Sequence, residues 1–114
     1  MLKRPITKKE VVLIKFLLGR IPGTHKQYDV PTQVTEMDDG GMGSLLLNDR
    51  NDRRFGRDLI QGQYYDSDGT LILITITEDT KQELFELDMW KVDNSPLKEF
   101  PTPDKLFFES IERS

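Results

Sequence analysis

The feature that most constrains this chain is a pair of alternating apolar runs, Thr70–Thr77 and Gln82–Lys91, separated by a polar turn. Alternation with period two puts Ile72, Ile74 and Ile76 on one side of a strand and Phe85, Leu87 and Met89 on one side of the next, the pattern of an antiparallel hairpin with one buried face. A four-residue loop over Glu78–Lys81 sets Ile74 opposite Phe85 and Ile72 opposite Leu87. Three more β-rich runs precede this pair, at Tyr28–Met37, Gly43–Asn48 and Arg57–Tyr65, with Asp/Gly turns between them. Asp39-Gly40 is a hairpin signal because both residue types tolerate positive φ. At Asp66-Ser67-Asp68-Gly69 a four-residue loop would carry Gln61 and Gln63 onto the core face. A bulge near Gly69 that restores Ile60 and Tyr64 to it, or an edge position for this strand, is therefore expected.

Ahead of the β-rich region, Thr7-Lys8-Lys9-Glu10 has the spacing of a capping box and predicts a helix over Lys8–Leu18, mostly buried and ended by a left-handed Gly19. The chain contains no alanine, which weighs against a bundle of long helices. The expected architecture is α+β: an N-terminal helix packed on a five-stranded, mainly antiparallel meander, as one domain over residues 1–114. The Pro-rich stretch from Ser95 to Pro103 cannot pair as a central strand. Beyond it, Lys105–Glu112 reads as a short helix in preference to a strand, although Leu106, Phe108 and Ser110 alternate.

Composition removes several classes of function. With no cysteine and a single histidine, His25, disulfides, thiol nucleophiles and multi-histidine metal centres are excluded, and no metal or cofactor is expected. The net charge of −4 is unevenly spread: residues 1–57 carry 11 basic and 7 acidic side chains, residues 58–114 carry 5 and 13. Such a balance repels nucleic acid. The basic start followed by Val11–Leu18 imitates a signal peptide, but Glu10 and Lys15 interrupt it, and no apolar run approaches the ~20 residues of a membrane span. A cytoplasmic location without membrane contact is expected.

The motifs for chemistry are sparse. Gly40-Gly41-Met42-Gly43-Ser44 lacks the lysine and spacing of a phosphate loop and reads as a tight turn with close packing. Asp66-Ser67-Asp68-Gly69 has its glycine too early for a calcium loop. Glu86 and Asp88 alternate on one strand face with Trp90, about 7 Å apart if the strand is regular. The pair could serve acid–base hydrolysis, or simply be a solvated face. An exposed Trp90 among acids suits a contact surface for a cationic protein, whereas a Trp90 beneath the Pro-rich tail would be structural. Arg50, Arg53, Arg54 and Arg57 form a second cluster, suited to acidic partners unless Asp49, Asp52 and Asp58 neutralise it locally.

Two blocks, Gly40-Gly41-Met42-Gly43-Ser44-Leu45 and Leu84 to Lys98 with its Trp90-Lys91-Val92-Asp93 centre, resemble the signature segments of a family of small bacterial proteins of unknown function. Arg4–Glu10 and the Asp66–Gly69 turn are similar to further segments of that family. The resemblance implies a stand-alone bacterial domain and brings no activity or ligand. The expected function is non-catalytic protein binding, in its most concrete form an immunity-type inhibitor of a bacterial toxin. A small ligand-binding domain or hydrolase using Glu86 and Asp88, and a homodimer formed through a strand edge, are the alternatives.

Overall fold

The capping box forms as the sequence predicts: Thr7 Oγ1 accepts from the Glu10 amide at 3.2 Å, and the Glu10 carboxylate accepts from the Thr7 amide at 2.9 Å. The computed structural model describes residues 2–23 and 26–109, so His25 lies outside the described residues. Helix α1 spans Lys8–Leu18. It buries Glu10, Leu13, Ile14 and Leu17 and leaves Val12 exposed, so it is one-sided rather than mostly buried. Gly19 is not left-handed either, with φ −69°. The last turn tightens instead, Arg20 N–H bonding Leu17 O at 3.0 Å, which satisfies a terminal carbonyl without a positive-φ residue.

Six strands, not five, form one antiparallel sheet: β1 (Leu2–Pro5), β2 (Gln33–Glu36), β3 (Leu45–Leu46), β4 (Phe55–Tyr65), β5 (Leu71–Asp79) and β6 (Leu84–Lys91). The order β1-β2-β3-β6-β5-β4 is also not a simple meander, since β6 lies between β3 and β5. Strand β1 escapes sequence detection because it lacks apolar alternation. It is held by register with β2 and by Arg4, which bonds Glu10 and Glu36 at 2.7 and 2.5 Å. The anticipated run Gly43–Asn48 shortens to two residues because Gly43 sits at φ 96°.

The β5–β6 hairpin exists, but its register differs from the expected one by four residues. Ile74 faces Met89, Ile76 faces Leu87 and Ile72 faces Lys91. An even shift keeps the same faces together, so the isoleucine face is still the core. The turn is shorter than supposed: Asp79 N–H bonds Glu83 O at 2.9 Å, and Gln82 adopts φ 65°, the left-handed residue of a three-residue hairpin. The register then slips between Ile76 and Glu78, where Phe85 and Glu86 together oppose Thr77. This bulge places Leu84 in the core and leaves Phe85 only half-buried. At the other end, Gly69 at φ 83° closes the β4–β5 turn, Tyr64 faces Ile72, and β4 is an edge strand.

Leu13, Ile14 and Leu17 of α1 pack with Val34, Leu45, Tyr64, Ile72, Ile74, Ile76, Leu87 and Met89. The helix therefore covers one face of the sheet. Gly62 permits the close approach: a Cβ there would come within 3.1 Å of the Phe108 ring and 3.5 Å of Leu17. The helix expected over Lys105–Glu112 is replaced, within the described residues, by a single 3-10 turn at Pro103–Lys105 followed by an antiparallel bridge between Phe107 and Gln63. Alternation wins here because Leu106 and Phe108 pack against the core while Phe107 completes the β4 edge.

The register makes a direct prediction. Ile74→Ala, at a fully buried position, is expected to cost about 2–5 kcal/mol through lost transfer energy and a residual cavity, and Phe85→Ala to cost less. Urea denaturation of both variants checks this, and a larger loss at Phe85 would restore the four-shifted register.

Candidate functional site

Lys91 follows Leu87 and Met89 on the core face of β6 and is fully buried. Its ammonium donates to Asp66 at 2.8 Å, Asp68 at 2.7 Å and the Pro96 carbonyl at 3.2 Å, so all three donors are used. The buried Asp66 carboxylate also accepts from the amides of Ser67, Lys98 and Glu99 at 2.7, 2.8 and 3.0 Å. Burial by itself would push the Asp66 carboxyl up, but Lys91 and these amides outweigh it and hold it below its ordinary value. Burial would likewise lower the Lys91 ammonium, and the two aspartates raise it instead. Asp68 is held at about 2 by Lys91 and the Thr70 amide. The network welds the β4–β5 turn, the end of β6 and the Pro-rich tail. Sequence reading took Asp66–Gly69 as a turn and missed the network; the available signal was a lysine on an otherwise apolar strand face.

The glycine-rich block docks onto the same tail. The Gly41 carbonyl accepts from Leu97 N–H at 2.9 Å, and a Cβ on Gly41 or Gly43 would lie 3.3 Å from Pro96 or 3.4 Å from Leu97. Ser44 Oγ donates to Met89 O at 3.2 Å and accepts from Met89 N–H at 2.9 Å, extending the short β3 contact with β6. Asp39 closes the loop by accepting from the Met42 and Ser44 amides, each at 3.0 Å. This is the structural packing expected of the block.

The sheet face away from α1 carries the predicted binding residues Asp88 and Trp90. Paired residues share a face, which gives a row Gln61–Thr75–Asp88 beside a row Gln63–Leu73–Trp90. Trp90 is 43% exposed and is not covered by the Pro-rich tail. Its indole N–H donates to Asn94 Oδ1 at 3.0 Å, and Asn94 itself is left-handed at φ 62°. Glu86 is half-buried at the bulge and Asp88 is exposed. Among the described residues neither forms a salt bridge. Partial burial raises the Glu86 carboxyl, with Asp88 adding to the rise and Arg53 opposing it. Asp88 reaches solvent, yet desolvation by the packing around its base also raises its carboxyl, with Asp39 and Asp58 adding to the rise and Ser44 opposing it. An acid–base pair needs environments that push two carboxyls apart; these two move in the same direction.

The predicted arginines are largely engaged within the molecule. Arg50 pairs with Asp52 at 3.3 Å and with Glu83, and Arg57 pairs with the buried Glu78 at 2.6 Å. Arg53 and Arg54 donate to the Arg50 and Arg53 carbonyls at 2.9 and 3.0 Å. Elsewhere, a groove of about 520 Å³ between α1 and the segment 26–30 is lined by Lys15, Leu18, Ile21, Tyr28 and Val30. Among the described residues no group of three His, Cys, Asp or Glu is placed to hold a metal, and no helix is long and apolar enough to cross a membrane.

A family model for a domain of unknown function (DUF6984) matches residues 3–101. No curated protein and no solved structure matches the chain.

Two predictions separate the structural network from the outer face. Lys91→Met leaves Asp66 buried without its cation and is expected to lower the melting temperature by about 10 °C or more. The contribution of Asp66 to stability is present above its unfolded value of about 3.9 and is lost as the pH falls through its depressed folded value, which thermal melts on acidification would follow. Asp88 behaves in the opposite sense. A carboxylate raised on folding is penalised in its charged form, so Asp88→Asn is expected to raise the melting temperature at neutral pH and to change nothing once the pH lies below the unfolded value of about 3.9, where both states are protonated. Melts of this variant at the two pH values test that sign.

Proposed function

The chain belongs to the DUF6984 family, and within that family we propose that it is a non-catalytic protein-binding domain whose outer sheet face meets a cationic partner. The observation that carries this reading is Trp90, a large aromatic left 43% exposed on the same sheet face as Asp88 and, farther along β6, Glu86, neither of which has an ion-pair partner among the described residues. Aromatic side chains with a tethered polar edge give contact area at low entropic cost. Adjacent carboxylates held above their ordinary values regain favourable energy when a cation approaches.

The most concrete form of the proposal is an immunity-type inhibitor that acts in the bacterial cytoplasm by masking a basic toxin surface. The acidic second half of the chain supports it, because surplus negative charge accelerates encounter with a basic partner. Arg53 and Arg54 stand as the second-choice surface, since Arg50 and Arg57 are already ion-paired.

Affinity capture from the native host with wild type and with Glu86→Lys/Asp88→Lys tests the reading. The expected result is one basic protein retained by wild type and released by the variant, with the variant bait melting no lower than wild type, and protection from it when the chain is co-expressed. Equal retention by both baits would move the binding surface away from this face.

A further inference from the structure

The outer face has a second half that the acidic residues do not describe. Beyond the Trp90 row lies the pair Tyr65–Leu71, and Val92, just past β6, donates its N–H to the Leu71 carbonyl at 3.0 Å. Tyr65 is 60% and Val92 39% exposed, so with Trp90 three large apolar side chains lie exposed at this end of the sheet. The C-terminal segment adds a fourth apolar side chain, half-buried. Phe107 and Gln63 exchange backbone hydrogen bonds of 2.9 Å in both directions, which puts Phe107 in the row Phe107–Gln63–Leu73–Trp90. Its ring stacks on Tyr65 with centroids 5.7 Å apart. Phe107 lies beyond residue 101, where the family match ends.

We propose that these two halves form one docking surface for an extended basic protein segment: Tyr65, Phe107, Leu73 and Trp90 receive its apolar side chains, and Asp88 and Glu86 receive its lysines or arginines. The inference rests on the reading that this face binds a cationic partner, and it adds the partner's pattern. Asp88 precedes Trp90 by two residues along β6, a step of about 7 Å, so an apolar and a basic residue two positions apart on an extended partner meet both halves at once. Charge complementarity selects the occupant. Glu86, Asp88 and Asp58 repel a phosphate backbone or an anionic lipid surface, and a second copy laid face to face brings the same carboxylates again. Apolar contacts supply the holding energy and the acids set orientation, which is the division of labour in protein interfaces.

The test uses short synthetic peptides without tryptophan, so that Trp90, the single tryptophan of the chain, reports binding by its emission. A peptide of repeating Leu-Ser-Lys-Ser, which puts leucine and lysine two positions apart on one face when extended, is expected to shift that emission saturably, while a Leu-Ser-Glu-Ser peptide does not. Tyr65→Ser and Phe107→Ser should each weaken the Leu-Ser-Lys-Ser peptide about tenfold, and the exposed Tyr65 keeps the test valid if Phe107→Ser melts early. A Ser-Ser-Lys-Ser peptide that binds as tightly as Leu-Ser-Lys-Ser, or Tyr65→Ser with unchanged affinity, overturns the two-part surface and leaves the cationic-partner reading standing. Equal binding by Glu86→Gln/Asp88→Asn, or no response to any peptide, overturns both.

Discussion

A lysine ammonium without solvent contact has to find an acceptor for every proton, and at Lys91 that requirement organises three distant pieces of chain. Asp66 and Asp68 come from the turn between β4 and β5, and the third acceptor is the Pro96 carbonyl of the tail. Asp66 in turn fixes the amides of Lys98 and Glu99. A buried ion pair is a weak source of net stability, because desolvation cancels much of its attraction. Its place here is at a junction: the path taken by the Pro-rich segment brings a carbonyl and two amides to these partners at once, and that path leaves Leu97 and Phe100 against the core.

The legible parts of the fold were those written in local chemistry. The capping box at Thr7 and Glu10 needs only four residues, and the alternation of Ile72, Ile74 and Ile76 needs only one strand. Register was harder, because pairing four residues along keeps the same faces and every hydrophobic pattern intact. What decided it were Gln82 at φ 65° and the bulge opposite Thr77, and neither glutamine nor Phe85-Glu86 advertises a special backbone. Strand β1 was invisible, and the Phe107 bridge only the second of two readings, for another reason: each exists because a neighbour's edge offers hydrogen bonds, which is a property of the assembled sheet.

The candidate face divides in the same way. Alternation was enough to put Asp88 and Trp90 on the side away from the isoleucines. It said nothing of Tyr65 and Phe107, which join that side through cross-strand pairing. The arginines, adjacent in sequence, lose their unity in three dimensions, since Glu83 and Glu78 arrive from β5 and its turn to claim Arg50 and Arg57.

The contact of Gly41 and Gly43 with Pro96 and Leu97 bears on how such a chain changes over generations. Two stretches some fifty positions apart share one seam, where a Cβ on Gly41 would press Pro96 at 3.3 Å and one on Gly43 would touch Leu97 at 3.4 Å. A side chain at Gly41 would need Pro96 to give by a few tenths of an ångström, and both glycines hold positive φ, which a side chain strains. The seam thus couples two separate sequence blocks by contact, so that a change accepted on one side is felt on the other.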